Sequence, residues 1–190
     1  FNKKSYLKYI DGYCSLKSDS EIIPWHTDQA YSGKKEVTNF VDPDHANLKF
    51  FIYLTNVSSE NGCMSYIPGS HKIGYAIRKL IFERKIEYSM YWNLKDFRKL
   101  ISDKKNFRVL KSYLNDENII EDFLNKTQFI DKNENNSEFD YNMNAGGAII
   151  FDEGGVHRGS KTLKNRRLVL RYLYSITKSN LDTGNKLYNK

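Results

Sequence analysis

His26 and Asp28 stand one residue apart in the stretch Trp25-His26-Thr27-Asp28-Gln29. On an extended backbone the side chains at i and i+2 point to the same side. An imidazole nitrogen and a carboxylate oxygen can therefore reach one metal ion together, and Pro24 favours that delivery by biasing Ile23 to an extended conformation. Two donors do not close a metal site. His157 is the third candidate; it follows a strand pattern of its own, Ala148-Ile149-Ile150-Phe151-Asp152. Two histidines and one carboxylate on one face of an octahedral ion leave three positions open, the donor set with which non-haem Fe(II) oxygenases take up a cosubstrate and O₂. A His-x-Asp tripeptide alone is weak evidence, since a surface histidine beside a loop aspartate is the plainer reading. His45, in a polar stretch, is a reserve ligand that otherwise reads as solvent-exposed.

The elements that must position these residues are those of one domain. A chain of 190 residues with 39% hydrophobic and 14% aromatic content can bury a sizeable core. The chain opens on Phe1, which leads us to expect a longer natural N-terminus. No apolar run approaches the length of a membrane span. Cys14 and Cys63 are too few for a disulfide framework and read as reduced thiols, which suits the cytoplasm, where Fe(II) persists. The net charge of +7 leaves room for an anionic substrate, but no zinc-finger, helix-turn-helix or RNP-type pattern accompanies it, so neither nucleic acid nor membrane is an expected partner.

In chain order, the pattern predicts a strand over 5–10, a turn at Asp11-Gly12, and a polar loop over 30–45 containing Ser32-Gly33 and Asp42-Pro43-Asp44. Residues 47–57 are the clearest strand, rich in β-branched and aromatic residues. Asn61-Gly62 signals a tight turn, after which a short strand over 63–67 would close a β-hairpin and stop at Pro68-Gly69-Ser70-His71. Apolar residues then recur at helical spacing (Ile77, Leu80, Ile81; Leu94, Phe97, Leu100, Ile101; Ile119, Ile120, Phe123, Leu124), predicting two or three amphipathic helices and then a polar loop at 131–137. These helices read as a layer on the sheet or as a lid. In the second case Lys95, Arg98, Lys99, Lys104, Lys105 and Arg108 would attract an anionic substrate. A last strand covers 168–174.

The run YLTNVSSENGCMSYIPGSHK (Tyr53 to Lys72) and the run GGAIIFDEGGVHRGSKTLKNRRLVLRYLYS (Gly146 to Ser175), in that order after the His-x-Asp, resemble the phytanoyl-CoA dioxygenase family of Fe(II)/2-oxoglutarate-dependent oxygenases. The resemblance covers about residues 22–74 and 143–176. It implies a mainly β fold with a double-stranded β-helix (jelly-roll, cupin-like) core, one domain over 1–190 and a helical insertion at about 74–141. It makes His26, Asp28 and His157 the iron ligands and leaves His71 a structural turn residue. It implies an arginine for 2-oxoglutarate, for which spacing from Tyr174 favours Arg167 over its neighbour Arg166. An exposed basic pair is the plainer reading of these two. The family tends to have Gly-Ser directly after the distal histidine; here Arg158 intervenes before Gly159-Ser160, which weakens the case for a cosubstrate contact from Ser160. Asp152 and Glu153 are possible partners of the ligands. The implied activity uses Fe(II), 2-oxoglutarate and O₂ to hydroxylate a small organic substrate, releasing succinate and CO₂, and Asp28 argues against the halogenase branch. The alternative is a non-catalytic or Zn-binding cupin-like module, since His₂Asp alone does not choose the metal.

Overall fold

A computed structural model describes residues 4–29, 46–130 and 138–175. The polar stretches at 30–45, with His45, and at 131–137 lie outside the described residues. Eight strands and four helices follow in the order β1 (Tyr6–Ser15), β2 (Ser18–His26), β3 (Asn47–Tyr53), β4 (Met64–Tyr66), α1 (Ser70–Phe82), α2 (Leu94–Ser102), α3 (Lys104–Leu114), α4 (Glu117–Thr127), β5 (Asp140–Tyr141), β6 (Ala148–Asp152), β7 (His157–Thr162) and β8 (Arg167–Ser175). They form two antiparallel sheets, β1-β8-β3-β6 and β2-β7-β4-β5. The chain changes sheet at every step but β4 to β5. This is the expected double-stranded β-helix, with the helices entering between β4 and β5.

Three local expectations are corrected. Asp11-Gly12 is no turn: β1 runs through it, because Asp11 pairs with Arg171 across the sheet and Gly12 lies opposite Leu170. Asn61-Gly62 does reverse the chain, with Gly62 at φ 72°, but the flanking strands make no hairpin. β3 ends at Tyr53 and pairs with β8 and β6, whereas β4 pairs with β7 and β5 in the other sheet. A turn signal specifies reversal, not partner. The insertion contains α3 besides the helices expected; Leu110 alone of α3 is fully buried, so its apolar periodicity is too thin to read.

Pro24 lies inside β2 without breaking it. β2 is an edge strand, and the pairing with β7 is irregular between Ile23 and His26, where a missing N–H does no harm. Between the sheets, Phe51, Tyr53, Val57, Cys63, Met64, Tyr66, Phe151 and Val169 form one apolar cluster, and the helices build a second over Trp25, Ile67 and Val156. Arg158, on β7, braces the smaller sheet. Its guanidinium donates to Ser65 Oγ (3.0 Å), Glu21 Oε1 (2.9 Å) and Asp140 Oδ1 (3.2 Å) and lies 5.0 Å from the Trp25 ring.

The insertion is fastened to the core at two places. Ser70 Oγ donates to Ile67 O (2.6 Å) and accepts from Val156 N (2.8 Å). There α1 approaches the turn between β6 and β7 so closely that a Cβ on Gly74 would stand 2.5 Å from Gly154 O. At the other place, Asn93 caps α2 by accepting from Asp96 N (2.8 Å), and its backbone bridges to His26.

Two substitutions test this packing by thermal and chemical denaturation. Gly74→Ala lowers the stability although alanine gains about 1 kcal/mol in helix propensity, because the new methyl group meets Gly154 O. Arg158→Ala costs about 3–5 kcal/mol by leaving the buried Asp140 without its charge partner.

Candidate metal centre

β2 ends and β7 begins at the same point of the small sheet, with His26 and His157 as direct cross-strand partners. Their ring centroids are 4.4 Å apart. Beyond the end of β2, the backbone is held by Thr27 N to Trp92 O (2.9 Å), Asp28 N to Glu153 O (3.1 Å) and Thr27 Oγ1 to Gly154 O (3.0 Å). Asp28 thereby faces both rings. Its Oδ1 lies 3.3 Å from His26 Nε2 and its Oδ2 3.1 Å from His157 Nε2. One ligand atom from each of the three residues falls within 4.8 Å of the others. Bonds of about 2.1 Å to one ion place adjacent ligand atoms roughly 3 Å apart, so the donor set suits a single ion.

Both rings are oriented from behind. His26 Nδ1 is 2.6 Å from Pro24 O, and His157 Nδ1 is 2.9 Å from Gly155 O. A carbonyl accepts only, so each Nδ1 carries a proton and Nε2 is the ring atom aimed at Asp28, a donor to the carboxylate without metal and the atom that an ion would take. Gly155 can supply its carbonyl because it lacks a side chain: a Cβ there would lie 2.0 Å from Tyr66 Oη.

Lys49 went unnoticed in the sequence, yet it is buried beside the trio. It shares the inward face of β3 with Phe51 and Tyr53, and a lysine in that parity is the signal that could have exposed it. Its ammonium bonds Asp28 Oδ2 and lies 3.3 Å from Glu153 Oε2; Glu153 also accepts from Asn47 Nδ2. Burial alone would raise the Asp28 pKa. Hydrogen bonds from His157 and His26 and the charge of Lys49 overcome it, holding the carboxyl well below the usual range. Burial would lower the Lys49 pKa, but Asp28 and Glu153 more than reverse that. Glu153 thus reaches the trio through Lys49, while Asp152 Oδ1 accepts from Gly154 N (2.7 Å). Trp92, half-exposed at 40%, sets its ring 5.1 Å from His26.

The two candidate arginines part company. Arg166 is exposed, and Arg167, 2% exposed, points between the sheets. Its Nη1 donates to Gly62 O (2.8 Å) and its Nη2 to Tyr13 Oη (2.7 Å), and the Tyr13 and Tyr53 rings lie 5.1 and 6.0 Å from the guanidinium. Arg167 Nε and Tyr53 Oη are buried without a hydrogen-bond partner, and burial raises the Tyr53 pKa. Arg171, further along β8, is bound to Asp11. Ser160 Oγ is turned to Ser58 O (3.4 Å) and Cys63 Sγ (3.5 Å), where burial pushes the thiol up to about 11. His71 lies in the first turn of α1, outside the trio. Of the basic residues of the insertion, Arg98 is anchored to Leu124 O (2.7 Å) and Thr127; Lys95, Lys99, Lys104, Lys105 and Arg108 are exposed on α2 and α3.

Residues 17–168 match the phytanoyl-CoA dioxygenase (PhyH) family. The chain belongs to this family. No curated protein matches the sequence. Among solved structures, apo HygX from Streptomyces hygroscopicus is similar at 16% identity and a TM-score of 0.50, over 93% of this chain and 60% of that one. HygX with iron bound gives 15%, 0.50, 93% and 61%. EvdMO1 gives 12% and a TM-score of 0.43, over 93% of this chain and 28% of its own. The PhyH chain described here thus spans about 60% of HygX and less of EvdMO1, and at these identities the likeness to HygX is one of fold.

Lys49 gives the centre a testable property. Replacing it by Met leaves Asp28 and Glu153 as buried carboxylates without their cation, which destabilises the metal-free protein. A divalent ion then replaces the lost charge. Lys49→Met should therefore lower the melting temperature without metal and enlarge the rise produced by Mn(II), as thermal denaturation at fixed Mn(II) would show.

Proposed function

We propose that this chain is an Fe(II)- and 2-oxoglutarate-dependent dioxygenase that hydroxylates a small organic substrate. One observation carries the reading. Arg167 meets Tyr53 of the apolar cluster whose Phe151 and Tyr66 border His157 of the three-ligand set, and this buried guanidinium meets two neutral oxygens and no carboxylate among the described residues. A buried permanent cation calls for an anion, and a guanidinium suits a carboxylate. In this reading His26, Asp28 and His157 hold the iron, and Arg167 takes the far carboxylate of 2-oxoglutarate, with Tyr13 Oη and Tyr53 Oη beside it. When bound, Fe(II) supplies the redox chemistry by which 2-oxoglutarate and O₂ yield succinate, CO₂ and a hydroxylated product. The protein's share is to aim Nε2 of both rings at the ion by bonding each Nδ1 to a carbonyl, to keep Asp28 ionised, and to surround the cosubstrate with Phe51, Phe151 and Tyr66, which exclude water. Trp92 and the insertion border the substrate mouth. No helix among the described residues is long and apolar enough to cross a membrane. Free thiols at Cys14 and Cys63 suit a reducing compartment such as the cytoplasm.

Anaerobic absorption spectroscopy tests this directly. Adding Fe(II) and then 2-oxoglutarate to the wild type should produce a visible charge-transfer band, and His157→Ala should abolish it. Arg167→Ala should weaken 2-oxoglutarate binding roughly 10–100-fold, the loss of hydrogen bonds to a charged group, whereas Arg166→Ala should leave it nearly unchanged. No band from a protein that holds iron would overturn the reading in favour of a metal-binding module without this chemistry.

A further inference from the structure

Asp28 is held at both ends by one residue of the turn between β6 and β7. Its backbone N–H donates to Glu153 O (3.1 Å), and its carboxylate is bonded by Lys49, whose ammonium lies 3.3 Å from Glu153 Oε2. The circuit from Asp28 through Glu153 and Lys49 back to Asp28 is closed. Asn47 braces it: its side-chain amide donates to Glu153 Oε1 and its carbonyl accepts from Glu153 N (3.2 Å). Lys49 and Glu153 are 8% and 7% exposed, so water competes little for these bonds.

The circuit engages the two oxygens of Asp28 unequally. Lys49 bonds Oδ2, which also faces His157 Nε2 (3.1 Å), while Oδ1 faces His26 Nε2 (3.3 Å). The outer torsion of an aspartate is soft and close to two-fold, so a carboxylate free to turn can offer an ion one oxygen or both. A buried ammonium fixed from behind by Glu153 removes that freedom, because a charge-assisted bond is the strongest hold on the oxygen it takes. The number of oxygens decides what else the ion can bind. Two imidazoles and one carboxylate oxygen leave three positions of an octahedral ion open, and a second carboxylate oxygen leaves two. A chelating cosubstrate fills two, so a further molecule has a place only in the first case.

We infer that Lys49 is a positioning residue that keeps Oδ2 of Asp28 from the ion, so that Asp28 ligates through one oxygen and three positions stay open. The inference rests on the trio holding an ion. Lys49 acts through Asp28, and Glu153 keeps the ammonium where that requires it. A methionine at position 49 would fill similar space and leave Oδ2 free to turn to the ion.

The test loads the protein with Mn(II) and counts the exchangeable waters on the ion from the broadening of its electron paramagnetic resonance lines in ¹⁷O-enriched water, before and after 2-oxoglutarate. The wild type should show three waters, and one after 2-oxoglutarate. Lys49→Met should still bind Mn(II) but show two, and none after 2-oxoglutarate. Val169→Ala, which loosens the neighbouring apolar cluster and leaves the circuit intact, should keep three; this separates positioning from a general loss of stability. Two waters on the wild-type ion overturn the inference whatever the variants do. So does a count of three in Lys49→Met, or of two in Val169→Ala. His157→Ala tests the trio by itself and should give four waters or no bound Mn(II). A signal the same in His157→Ala as in the wild type would remove the trio as the metal site and the inference with it. A wild-type count of three that 2-oxoglutarate leaves unchanged, and that falls to two in Lys49→Met, would sink the oxygenase reading and support the role of Lys49.

Discussion

His26 and His157 come from opposite ends of the chain, and the antiparallel pairing of β2 with β7 alone sets them opposite one another. A slip of one residue would turn one ring to the other face of the sheet and dissolve the trio. The irregular pairing between Ile23 and His26 is part of this constraint. It lets Pro24 sit in the strand, and it leaves the Pro24 carbonyl free of the ladder to take the His26 Nδ1 proton. The strand is thus bent where its last side chain must be aimed.

In the proposed reading, charge favours an ion and a dicarboxylate together. Asp28 and Glu153 are negative, Lys49 and Arg167 positive, and all four lie largely out of water. The set is neutral before anything binds. A divalent cation alone leaves an excess of positive charge in the barrel, and a dicarboxylate alone leaves an excess of negative charge. Both together restore neutrality, so each should strengthen the binding of the other. The ammonium of Lys49 keeps Asp28 ionised in the absence of metal, at the cost of competing for it.

The site was more legible in the sequence than the path that builds it. His26 and Asp28 could be read together because alternation along an extended chain is a local property, and Arg167 was preferred to Arg166 by its spacing from Tyr174. The double-stranded β-helix was legible through family likeness. The partner of β3 was not, since Asn61-Gly62 reports a reversal and nothing about the sheet the chain enters next. Asp11-Gly12 misled for a related reason: its turn-like residues are satisfied by Arg171 and Leu170, which lie far along the sequence. Lys49 was hidden by its type, because lysine inside a strand reads as solvent-facing until its parity with Phe51 and Tyr53 is counted.

The glycine turn from Asp152 to Val156 joins the insertion to the chemistry. Its Gly155 carbonyl orients His157, its Gly154 carbonyl takes the Thr27 hydroxyl, and its Val156 amide is held by Ser70 at the start of α1. Gly74 and Gly155 admit α1 and Tyr66 at distances no side chain permits. A displacement of α1 by even a fraction of an ångström must therefore pass to the carbonyl that fixes the His157 tautomer, because close-packed contacts have no slack to absorb it. The helical layer acts as a rigid back wall of the candidate metal centre.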